Sequence, residues 1–82
     1  MEIGCGARIR DFDGRRYFYF WHYERDSGRS VRHEDYVGRV ESARCKADLL
    51  RRMLAYHRRA ESEFARRRAV IERMVAAPYT SE

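Results

Sequence analysis

Arg15-Arg16-Tyr17-Phe18-Tyr19-Phe20-Trp21-His22-Tyr23-Glu24 is the stretch that decides the fold. Rings crowd this run, and aromatic side chains favour the pleated surface of a strand over a helix. A small core cannot absorb so many rings on one strand. Some of them must therefore face solvent or a partner.

Turn chemistry on either side extends the reading. Asp13-Gly14 precedes the run, and this dipeptide suits a two-residue hairpin loop in which both central residues take positive φ. Asp26-Ser27-Gly28-Arg29 follows it and leads into Val31 to Val37, after which Gly38 breaks the pattern. The expected sheet is a three-stranded antiparallel meander over residues 7–40, with the aromatic strand in the middle.

Beyond Ser42 the composition changes to Ala, Arg, Leu, Met and Glu, with no Gly or Pro before Pro78. Ser42 is a suitable N-cap, and the apolar residues from Ala43 to Val75 follow helical spacing. The expected fold class is thus α+β: the meander, one long amphipathic C-terminal helix over 42–77, and a tail at 78–82, all in a single domain of residues 1–82. A helix of about 35 residues extends about 50 Å, whereas a nine-residue strand spans about 30 Å. Phe64, Ile71, Met74 and Val75 then lie past the sheet, and Leu50, His57, Phe64 and Ile71 recur every seven residues. This predicts a homodimer through the C-terminal half of the helix; a bend near Ala60 to Glu63 that folds the helix back is the competing arrangement.

If both turns are two-residue loops, facing residues sum to 27 in the first hairpin and 55 in the second, and alternation sorts the side chains onto two faces. One face gathers Cys5, Ala7, Ile9, Phe18, Phe20, His22, Val31, His33 and Val37, the expected floor for Leu49, Leu50, Met53 and Leu54. The other gathers Arg8, Arg10, Tyr17, Tyr19, Trp21, Tyr23, Arg32, Glu34 and Tyr36, with no helix left to cover it. Exposed rings offer stacking surfaces for bases, and arginine forks onto phosphates and base edges. On the helix, Arg52, Arg59, Arg66 and Arg73 recur at heptad spacing as a basic rail, although neighbouring acids also suit ordinary surface ion pairs.

The charge agrees with an anionic partner. Seventeen Arg and one Lys against 13 acids give +5, of which residues 41–82 carry about +4. The choice of Arg over Lys favours bidentate recognition. The longest apolar run, Tyr17 to Trp21, is far short of the about 20 residues that cross a bilayer, and the first residues lack a secretory layout. A cytoplasmic protein with reduced Cys5 and Cys45, no cofactor and no membrane partner is expected.

Cys5, His22, His33 and Cys45 form the one conceivable zinc set, but Cys45 lies near the end of the third strand and His33 near its start, about 13 Å away. Asp11-Phe12-Asp13-Gly14 resembles the opening of a calcium loop without its remaining ligands, so turn chemistry is the better account. No phosphate loop, nucleophile triad or catalytic carboxylate pair can be assembled, and an enzyme is not expected.

The order Arg8-Ile9-Arg10-Asp11-Phe12-Asp13-Gly14-Arg15-Arg16-Tyr17-Phe18-Tyr19, then Tyr23 through Arg32, then Tyr36-Val37-Gly38 resembles the N-terminal segment of fusellovirus-type tyrosine-recombinase integrases of archaeal viruses. The resemblance covers roughly residues 8–55. It implies DNA binding or assembly of a recombinase, as in a mobile element. The catalytic Arg and His cluster and the nucleophilic Tyr of that family have no counterpart here, and Tyr79 reads as tail.

Residues and resemblance together predict a small duplex-DNA-binding protein that uses Arg8, Arg10, Tyr17, Tyr19, Trp21, Tyr23, Arg32 and Tyr36 on the sheet, assisted by Arg52, Arg59 and Arg66 on the helix. A protein-interaction module docking a recombinase or host factor is the alternative from a different class. RNA binding draws on the same features.

Overall fold

The two turn dipeptides set the architecture. Asp13 and Gly14 take φ of 51° and 73°, and Ser27 and Gly28 take 51° and 80°. Positive φ at both central residues is the type I′ geometry whose twist matches that of paired strands. The computed structural model describes residues 4–77 and folds as β1 (Cys5–Phe12), β2 (Arg15–Asp26), β3 (Arg29–Arg39) and α1 (Ala43–Ala76). The strands form one antiparallel sheet in the order β1-β2-β3, an α+β fold. The tail at 78–82 lies outside the described residues.

Register follows from the turns. Cys5 faces His22 and Ile9 faces Phe18 along the first hairpin. Asp26 faces Arg29 and Tyr19 faces Tyr36 along the second. A bulge between Phe18 and Tyr19 then shifts the partners by one, so Phe18 faces Gly38 and Tyr17 faces Arg39. The extra residue is Val37, which packs against the core.

α1 begins where Ser42 Oγ accepts the Cys45 amide at 3.2 Å. Gly38 lets it come close, because a Cβ there would sit 3.1 Å from Cys45 Cβ and overlap Cys45 Sγ. The core is small. Phe20, Leu49 and Tyr56 are buried, with Cys5, Phe18, Val37 and Met53 packed around them. Burial raises the pKa of the Cys5 thiol.

Two expectations about the core change. Leu50 and Leu54 are about half exposed and stand outside the packed cluster. The helix turns Leu49, Met53 and Tyr56 inward instead, which are spaced four and three apart along one face. Ala7, Ile9 and Val31 share the core side of the sheet but stay exposed, because one helix covers only part of it.

Tyr56 earns its place through its hydroxyl. It accepts from Gly4 N at 3.1 Å and donates to Tyr23 O at 2.9 Å. Tyr23 N in turn donates to Gly4 O. The phenol thus closes the open end of the β1-β2 ladder, satisfying backbone groups that the strands leave over.

α1 is one continuous helix through residues 60–63, so the fold-back arrangement is not adopted. It runs past the sheet, and the molecule measures 70 × 24 × 13 Å. The radius of gyration is 18.8 Å, against about 12 Å for a compact chain of this length.

Candidate nucleic-acid interface

Alternation places the rings. Phe18, Phe20 and His22 point to α1, so Tyr17, Tyr19, Trp21 and Tyr23 point to the opposite face, which no described element covers. Gly6, Arg8, Arg10 and Phe12 share that face from β1, and Arg32, Glu34, Tyr36 and Arg39 share it from β3. Arg15 and Arg25 complete it at the ends of β2.

The sheet is electrically two-sided. Among the described residues its open face carries Arg8, Arg10, Arg15, Arg25, Arg32 and Arg39 against the single acid Glu34. On the α1 side, Asp11, Glu24, Asp26 and Asp35 outnumber Arg16 and Arg29. The even distribution of charge along β1 to β3 therefore conceals a strongly positive open face and a mildly acidic inner face that α1 partly covers.

The rings form a packed layer. Phe12 and Tyr17 lie 6.2 Å apart, Tyr17 and Tyr36 5.8 Å, and Tyr19 meets Tyr36 edge-on at 5.7 Å. Trp21 meets Tyr23 edge-on at 6.1 Å. Gly6 makes room for the indole: a Cβ there would sit 2.7 Å from the Trp21 ring. The β2 rings are half-buried by this packing, whereas Phe12 and Tyr36 stay 53% and 56% exposed.

Guanidiniums cap the central rings. Arg10 lies 5.3 Å from the centre of Tyr19, and Arg32 5.1 Å from that of Trp21. Arg10 also forks onto Glu34, Nε to Oε1 at 2.9 Å and Nη2 to Oε2 at 3.0 Å, so a bidentate pair bridges β1 and β3 above β2. That bond holds the Glu34 carboxyl below its ordinary pKa and raises that of Arg10. Stacking of a base on Tyr19 or Trp21 is thereby obstructed. The face instead presents the Arg10 and Arg32 guanidiniums over a layer of packed rings.

The helix arginines are placed elsewhere. α1 lies behind the sheet, so Arg52, Arg59 and Arg66 are not brought together with the open face. Each is held by a carboxylate: Arg52 by Asp48 at 3.1 Å, Arg59 by Glu24 at 2.6 Å, and Arg66 by Glu63. Arg59 also caps the ring of Tyr56. Arg15, Arg25 and Arg39 belong to the face beside the residues expected from the sequence. Strand alternation alone identifies the first two; the bulge decides the third.

The four zinc candidates do not converge. His22 is engaged at both ring nitrogens, Nδ1 with Glu24 at 3.1 Å and Nε2 with Asp35 at 2.9 Å, and it stacks between Phe20 and His33. Cys45 packs on Gly38. Among the described residues no cluster of His, Cys, Asp or Glu is arranged to hold a metal ion, and no helix is long and apolar enough to cross a membrane.

Comparison with protein families, with curated proteins and with solved structures finds no match.

Proposed function

We propose that this chain binds duplex DNA with the open face of its sheet. The observation that carries the reading is the concentration of six arginines against one acid on the face that no described element covers, bedded on Phe12, Tyr17, Tyr19, Trp21, Tyr23 and Tyr36. Arg8, Arg32 and their neighbours meet phosphates and base edges, and the Trp21 ring fixes where the Arg32 guanidinium points. Capping of Tyr19 and Trp21 favours a duplex over a single strand, since base stacking needs a free ring face. The narrow major groove of duplex RNA does not admit a sheet, whereas that of B-DNA, about 12 Å wide, admits a β-ribbon.

The likeness to integrase N-terminal segments rests on motif order and supports the same reading, with a recombinase or mobile element as the setting. A cytoplasmic location belongs to this proposal too: chromosomal or element DNA is met there, and the two cysteines are free thiols. A protein partner is the second reading, favoured by the exposure of Phe12 and Tyr36 side by side with Tyr17. Fluorescence anisotropy of labelled random duplex, titrated with the protein at increasing salt, separates the two. Tight, salt-sensitive binding that Arg8→Ala and Arg32→Ala weaken supports DNA; absence of binding at low salt removes it.

A further inference from the structure

α1 carries two stripes. The inner one runs through Leu49, Met53 and Tyr56 against the sheet. One residue further on, about 100° around the axis, an outer stripe runs through Leu54, Phe64, Ile71 and Val75, exposed by 49%, 52%, 59% and 81%. The outer stripe advances in steps of four and three from Leu50 to Val75, the spacing of a helix face that packs on another helix. No described element covers it, and α1 extends past the sheet.

We propose that the outer stripe pairs with the same stripe of a second copy of this chain, antiparallel, about a two-fold axis near Ser62 and Glu63. The steps of four and three read identically in both directions, so each position i meets position 125 − i of the other copy. Leu50 then meets the partner's Val75, Leu54 meets the partner's Ile71, and the two Phe64 rings lie beside the axis. Charge selects the direction. A parallel pair would set Glu61 on Glu61 and Arg68 on Arg68. The antiparallel pair brings Glu61 within about one helical turn, roughly 6 Å along the axis, of the partner's Arg68.

This geometry has a consequence for the sheets. The two-fold runs perpendicular to both helices, and each sheet lies about a quarter turn from the seam. Both sheets therefore fall on the same side of the helix pair, with their open faces pointing the same way. Their centres, behind Met53 of each copy, are separated by about 19 residues of helix, or about 30 Å. Dimeric readers meet successive half-sites about 34 Å apart on B-DNA. That match rests on the nucleic-acid reading above; the pairing itself does not, and its test contains no DNA.

Sedimentation equilibrium at tens of micromolar should give twice the 9.9 kDa chain mass. Glu61→Arg should weaken the dimer about fivefold, and adding Arg68→Glu should restore it, with circular dichroism reporting that the helix is retained in both. A native chain that sediments as a monomer overturns the dimer. A dimer indifferent to Glu61→Arg, or not restored by the second change, overturns the antiparallel arrangement.

Discussion

The Arg32 guanidinium lies over the Trp21 ring, 5.1 Å from its centre, while the indole spreads across the bare backbone of Gly6 on the neighbouring strand. One arginine, one ring and one glycine thus form a stack across the sheet. The ring gains a partner on its face, and the guanidinium loses rotamer freedom before any ligand arrives.

Gly6→Ala should disturb this stack first. The new Cβ would stand 2.7 Å from the indole, so the ring must lift or the strands must part, at a cost of about 1 to 3 kcal/mol. Trp21 is the only tryptophan, so its emission reports the site alone. The expected outcome is a red-shifted spectrum together with a lower unfolding midpoint. An unchanged spectrum would show that the indole does not rest on Gly6.

Tyr56→Phe keeps the ring and removes the hydroxyl that joins Gly4 N to Tyr23 O. Two backbone groups at the edge of a small core lose their partner, and the expected loss is about 1 to 2 kcal/mol. Urea denaturation measures it. Amide exchange at Gly4 should rise together with the loss of stability.

Much of this is legible in the sequence. Asp13-Gly14 and Ser27-Gly28 announce two-residue turns, and two-residue turns dictate which rings share a face. The helix was less transparent, because Leu49, Met53 and Leu50, Leu54 form two apolar stripes one residue apart. Leucine content favours neither. The sheet takes the stripe that contains Tyr56, whose hydroxyl reaches backbone groups that only pairing between distant strands leaves over. The bulge at Val37 and the diagonal bond from Arg10 to Glu34 likewise depend on contacts between strands, so local pattern carries no trace of them beyond Gly38. The ion pairs of Arg52 and Arg66 with acids three or four residues away are legible from helical spacing, whereas that of Arg59 with Glu24, 35 positions away in sequence, is not.

Acid should loosen the open face. Glu34 has its pKa lowered, first by the hydrogen bond from Arg10. A carboxyl whose folded-state pKa lies below its unfolded value stabilises the fold above that unfolded value, and the contribution fades as pH falls through the folded one. Thermal midpoints measured from neutral pH downward should therefore fall once pH drops below the ordinary carboxylate range. Glu34→Gln should flatten that part of the profile. The same substitution frees Arg10 and removes the only acid among the described residues of the face, so it should strengthen DNA binding and steepen its salt dependence.

The central claim is that the open sheet face docks on duplex phosphates, and the slope of log K against log salt tests it most directly. Three to five phosphate contacts give a slope of about −3 to −5, and Arg8→Ala should make it shallower by about 1 with Trp21 emission unchanged. Binding that ignores salt, or a slope unaltered by Arg8→Ala and Arg32→Ala alike, would contradict the account.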